Sequence, residues 1–201
     1  MDKKKVVKTL RLLFIGELFT ITSFLGELQF AFGPLLYLSL FSLIGMIIVL
    51  VSVIKLYRAN KFFLLSFLCV CLSLLIGITG AVLTMTNVKP EILATFDFYT
   101  KILAKGVNMA FIFGIIRGCS KAALGKANTK YANIMSIVNT VGKGLSILLL
   151  IISGFIQSNE TAIVALSVTS VVLSFIVEVF FIVYVYRAYK MSKEDLKEKT
   201  V

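Results

Sequence analysis

The sequence predicts an all-α membrane protein: a single-domain bundle of six transmembrane helices with both termini in the cytoplasm. Three observations predict it. Apolar residues make up 59% of the 201-residue chain, mean hydropathy is +0.98 and only 15% of residues are charged, which leaves too little polar surface for a soluble domain of this size. Apolar runs of about 20 residues, the length that crosses a bilayer, recur six times. The Lys and Arg residues gather in four clusters that share one side of the membrane only if there are six spans.

The first span is expected over about residues 10–32; it holds Glu17 and Glu27 and is broken by Gly33-Pro34. The opening MDKKKVVKTLRLLF has the charge layout of a signal peptide, but Glu17 interrupts the apolar core and no small-residue cleavage site follows, so an uncleaved first helix is expected. The second span covers about 35–56 and ends at Lys55, Tyr57, Arg58 and Lys61; the third covers about 62–85. The fourth, about 90–118, opens on Pro90-Glu91, a proline and an acid in the first turn. It is longer than a bilayer requires, which places Phe96, Phe98 and Tyr99 at the interface, where aromatic rings are favoured. The fifth, about 132–155, carries Lys143; the sixth, about 161–186, leads into a basic tail over 187–201.

In a soluble protein the net charge of +11 would suggest a nucleic-acid partner. Here most basic residues flank apolar runs, so membrane topology explains them and no nucleic acid is expected. The clusters are Lys3, Lys4, Lys5, Lys8 and Arg11; Lys55, Arg58 and Lys61; Arg117, Lys121, Lys126 and Lys130; and Arg187, Lys190, Lys193, Lys197 and Lys199. They also suit anionic lipids at the cytoplasmic face. The opposite side carries Glu27, Glu91, Asp97 and Glu160. Helices two and six both end in Tyr-Arg-Ala, at Tyr57 and Tyr186. Three related hairpins are one explanation; interfacial anchors shared by every inward-going helix are the plainer one and are preferred.

The chain has no His and no Trp, so the commonest metal ligand and neutral-pH proton shuttle are missing. Cys69, Cys71 and Cys119 lie in or beside apolar runs and are expected to be small apolar side chains, lipidation of Cys119 being the alternative. There is no phosphate-binding glycine loop, no G-x-S-x-G and no metal-ligand set. An enzyme is not expected, nor a cofactor or metal.

What chemistry there is lies inside the spans. A charge at mid-membrane costs about 2.5–3.5 kcal/mol on insertion scales, so it usually has a partner. In helix four, Asp97, Lys101, Lys105 and Asn108 share one face; in helix five, Asn133, Ser136, Thr140 and Lys143 do, with Asn139 beside Lys143. Helix six contributes Ser167, Ser170, Ser174 and Glu178, and helix one Glu17, Thr20 and Glu27. At 1.5 Å per residue, Glu17 and Glu178 lie roughly 10 and 12 Å from the cytoplasmic end and Lys143 roughly 18 Å into its helix. Lys143 is therefore expected to pair with Glu178 or Glu17, which offsets desolvation on both sides. The alternative is an ion pair that only fixes helix order. Separately, Gly106, Ala110, Gly114 and Gly118 form a small-residue ridge on helix four, and Ser136, Thr140 and Gly144 one on helix five, both suited to helix packing.

Two functions remain open. One is a transporter, or membrane substrate-binding subunit, for an anionic or zwitterionic small solute, with a polar cleft around Lys143 and Glu178. In size and helix number the layout resembles that of solute-binding subunits of vitamin importers, with no motif in common. The other is a non-catalytic interaction protein (an assembly, sensor or immunity-type subunit) that binds another membrane protein or a second copy of itself. The Ile-, Lys- and Phe-rich composition resembles that of membrane proteins of AT-rich bacteria, which suggests a bacterial cytoplasmic membrane and carries no function. The topology has a direct check: a reporter fused to either end of the chain should read as cytoplasmic, and opposite readings at the two ends would rule out six spans.

Overall fold

The computed structural model describes residues 3–21, 36–86, 89–121, 125–156 and 160–198. Among them there are six α-helices, one short 3-10 turn and no strand. The helices are α1 (Lys3–Thr20), α2 (Leu36–Ala59), α3 (Leu64–Met85), α4 (Pro90–Lys121), α5 (Gly125–Phe155) and α6 (Glu160–Glu198). Glu27, the Gly33-Pro34 break and residues 157–159 lie outside the described residues. Among the described residues four stretches are long and apolar enough to cross a membrane: Lys61–Gly80, Glu91–Lys121, Lys130–Phe155 and Glu160–Leu196.

Several helices run past the bounds that hydropathy suggests. α1 starts at Lys3 rather than near residue 10, because Val6, Leu10 and Leu13 already form a buried face there. α5 begins at Gly125, seven residues earlier than expected, and α6 continues to Glu198 through the segment read as a basic tail. Hydropathy falls at both places, but no proline intervenes and Lys, Glu, Ala and Leu are good helix formers. The 39 residues of α6 span about 58 Å, well beyond the roughly 30 Å of a bilayer core.

Each helix packs on its neighbours in the sequence, and α1 closes on α6, so the six form a ring. Between α2 and α3 the chain turns within a few residues: the Asn60 side chain accepts a hydrogen bond from the Phe62 amide at 3.0 Å and starts the 3-10 turn Lys61–Phe63. α1 and α2 approach closely at Gly45, where an added Cβ would lie 2.7 Å from the Thr20 amide nitrogen. α3 meets α4 at Gly114, whose missing side chain leaves room for Ser66, and the 3-10 turn before α3 meets it at Gly118, against Phe63. The Ser66 hydroxyl donates to the Phe111 carbonyl at 3.1 Å across the same seam. Ala110 packs half-buried against the core, whereas a Cβ at Gly106 or Gly144 would meet no atom within 4 Å.

The core is concentrated at the end of the bundle that holds the basic clusters. Leu10, Leu13, Val53, Leu56, Phe63, Ile112, Ile115, Cys119, Phe181 and Val185 are all buried there. Full burial of Cys119 leaves its thiol no path to lipidation. At this end Arg187 of α6 stacks over the ring of Tyr131 in α5, 4.4 Å from its centroid. At the other end the helices pack less: no residue of α3 from 71 to 80, and none of α4 from 91 to 104, is buried.

Candidate functional site

Lys105 of α4, Asn139, Lys143 and Ser146 of α5, Ser170, Ser174 and Glu178 of α6 and Glu17 of α1 come together just beyond the packed half, whereas Asn133 and Thr140 of the expected α5 stripe are exposed and Ser136 lines a separate pocket. Lys143 Nζ donates to Glu178 Oε1 at 2.8 Å, and the two side chains are only 1% and 6% exposed. The sequence leaves Glu178 and Glu17 as alternative partners; the structure closes the bond on Glu178. Glu17 is also buried, takes a 3.2 Å hydrogen bond from the Thr20 hydroxyl, and lies close enough to interact electrostatically with both Glu178 and Lys143.

Serines extend this pair. The Ser146 hydroxyl donates to the Ser170 carbonyl at 2.8 Å, and the Ser170 hydroxyl returns a bond to the Ser146 carbonyl at 2.7 Å. Ser146 also lies 2.7 Å from the Ser174 hydroxyl, which accepts a 2.8 Å bond from Lys105 Nζ on α4. The line therefore runs from Lys105 through Ser174 and Ser146 to Ser170, one turn from the Lys143–Glu178 bond. Ser146 does not stand out in the sequence, although it lies three residues after Lys143 and hence on the same face.

Two amides complete the cluster. Asn139, fully buried, donates from Nδ2 to the Met109 carbonyl at 2.9 Å. Its Oδ1, and the Oδ1 of Asn108, are buried without a hydrogen-bond partner. Each such acceptor costs about 1–3 kcal/mol relative to a satisfied one, so each is an expense that a bound donor would relieve.

The contacts of α4 show which way its polar stripe faces. Gly114 and Gly118 face α3, while Phe98 and the Met109 carbonyl face α5. Phe111 reaches α6 edge-on, 5.9 Å from Phe181, as Lys105 reaches Ser174. The arc between these directions is the interior of the ring. At about 100° per residue, Asp97, Lys101, Lys105 and Asn108 fall within about 80° of each other on that arc. The Lys105 and Phe111 contacts share one register along α6, so Asn108 stands level with Val177 and Glu178.

Burial is graded along this stripe. Asp97 and Lys101 form an i,i+4 ion pair at 2.6 Å with side chains 57% and 54% exposed, Lys105 and Asn108 are half-buried, and the Lys143–Glu178 pair beside them is sealed. Four side chains at this depth, Lys105, Lys143, Glu17 and Glu178, balance in formal charge. A separate pocket of about 230 Å³ lies between the ends of α4 and α5 on the side of the basic clusters and includes Arg117 and Asn133. Among the described residues no group of His, Cys, Asp and Glu is arranged to hold a metal ion.

Fold and site together define an all-helical protein with membrane-length apolar helices and a buried polar cluster between them. Comparison with protein-family models, with curated protein sequences and with solved structures finds no match.

The buried pair makes a sharp energetic prediction. Lys143→Ala strands the Glu178 carboxylate and should cost about 3–5 kcal/mol, whereas Lys143→Met combined with Glu178→Leu should recover most of that loss. Unfolding of the detergent-solubilised variants measures both. A double variant no more stable than Lys143→Ala would show that the two side chains do not act as a pair.

Proposed function

We propose that the chain is a six-span membrane protein that takes up, or binds for uptake, an anionic or zwitterionic small solute. The carrying observation is the graded stripe of α4. It points into the ring and passes from exposed Asp97 and Lys101, through Lys105 and Asn108, to the sealed Lys143–Glu178 bond. A charged stripe on the interior arc of a membrane helix is stable where water reaches it. In this reading the outer half of the ring is a vestibule with Lys105 at its base, and the packed inner half is its closed floor.

The described residues suggest how such a site works. Lys105 and Lys101 supply ammonium groups for a carboxylate or phosphate. Asn108 and Asn139 supply acceptor oxygens for N–H or O–H donors one turn deeper. Lys143–Glu178 ties α5 to α6 below the solute, and separation of those helices would open the floor while exposing both charges to water. The six-span arrangement with cytoplasmic termini is supported by the basic clusters and by the closure of α1 on α6; no catalytic role is proposed.

One observation favours the alternative, an interaction protein bound to another membrane protein. The Lys143–Glu178 pair is packed rather than solvated, as in a bond that only orders helices. Uptake into vesicles separates the two. Protein reconstituted in liposomes should accumulate at least one member of a panel of labelled amino acids, carboxylates and phosphate esters, and Lys105→Gln, which removes the charge but keeps a hydrogen-bond donor for Ser174, should lower that uptake tenfold or more. Accumulation no greater than in empty liposomes across the panel would overturn the proposal in favour of the interaction protein.

A further inference from the structure

The pocket between the inner ends of α4 and α5 does not belong to the polar cluster above. Its volume is about 230 Å³, and its lining combines Phe113 and Ile116 with Arg117, Ser120, Asn133 and Ser136. On α4, Phe113, Arg117 and Ser120 fall on the arc beyond α5, turned away from the ring interior that Lys105, Asn108 and Phe111 face. The pocket therefore opens on the outer surface of the bundle.

Its height is set by its neighbours. Lys121 and Lys130, both exposed, flank it, and Tyr131 with Arg187 stacked on it stands at the same end of α5. Basic residues and tyrosines at helix ends mark the boundary between hydrocarbon and headgroups. Among the described residues the exposed Arg117 guanidinium has no carboxylate partner. The Ser120 hydroxyl is turned back on the helix, donating to the Arg117 carbonyl at 3.0 Å, and its oxygen can still accept.

We infer that this groove is a binding site for one anionic phospholipid of the inner leaflet. Arg117 meets the phosphodiester, the Asn133 amide and the Ser136 hydroxyl donate to its oxygens or to the headgroup, and Phe113 and Ile116 form the apolar wall along which an acyl chain runs. The charge and the apolar wall together select the ligand: a free phosphate would leave the wall unused, and a net-neutral lipid, though it offers the same phosphodiester, would bring a quaternary ammonium against Arg117, Lys121 and Lys130. The inference is independent of whether the protein transports a solute.

Native mass spectrometry of the full chain, released from micelles containing equal amounts of phosphatidylglycerol and phosphatidylcholine, tests it. One phosphatidylglycerol should be retained in preference to phosphatidylcholine. Arg117→Gln, at an exposed position, should weaken that preference about fivefold or more, and Ser136→Phe, which fills the groove without changing charge, should remove it. Inorganic phosphate in excess should not displace the lipid. Equal retention of the two lipids, a preference unchanged in correctly folded Ser136→Phe, or displacement by inorganic phosphate would each overturn the inference. The first two outcomes point to a diffuse basic belt and the third to a soluble anion.

Discussion

The bond between Lys143 and Glu178 is the constraint on which the rest of the bundle depends. Lipid is as apolar as a leucine side chain, so burial of apolar surface does little to hold membrane helices together; close backbone approach and polar bonds do that work. α5 and α6 use both. Gly142 lets Val177 sit against the helix backbone, the Ser146 and Ser170 hydroxyls exchange bonds with each other's carbonyls, and the ion pair closes the same seam. α4 then joins through Lys105 to Ser174 and through Asn139 to Met109, and Glu17 brings α1 to the same place. A charge too costly to bury alone becomes the point at which four helices converge.

That convergence divides the molecule. On the basic side the ring is filled by Leu13, Leu56, Phe63, Ile115 and Phe181. On the other side the described parts of α3 and α4 bury no residue over ten or more positions. Such a difference suits a protein that works from one face: the dense half holds the ring together while the polar stripe of the loose half stays accessible. The proposed vestibule, with its base at Lys105, is the functional expression of that asymmetry. The proposed lipid groove at Arg117 belongs to the dense half, where a held lipid would brace the α4–α5 seam.

Much of this is legible in the sequence because a membrane makes polar residues conspicuous. Lys143 and Glu178 stand out from apolar surroundings, their depths differ by no more than a lysine side chain spans, and helical spacing puts Lys105 and Asn108 on one face. Helix ends are less legible, because hydropathy reports where the bilayer stops and not where hydrogen bonding stops; α1, α5 and α6 all run on. Ser146 and Ser66 make inter-helix bonds, but a lone serine in an apolar run has no signature that distinguishes a bond across a seam from one to its own helix. The small-residue ridge of α4 divides for a related reason. Gly114 and Gly118 face α3, while the helical drift of a four-residue repeat carries Gly106 away from that seam and out of contact. Ring closure through α1 and α6 is a tertiary fact that no local pattern encodes.

In the proposed vestibule the interior stripe of α4 faces water from the outer side. The most direct measurement replaces the three cysteines, places single cysteines at positions 101 and 103 of α4 in turn, and treats intact cells with a membrane-impermeant thiol reagent. Position 101 lies on the interior arc and position 103 on the opposite, lipid-facing side of the same turn. A water-filled vestibule gives rapid modification at Lys101→Cys and little or none at Leu103→Cys. Equal protection of both positions would contradict it and leave the polar cluster as a packing device alone.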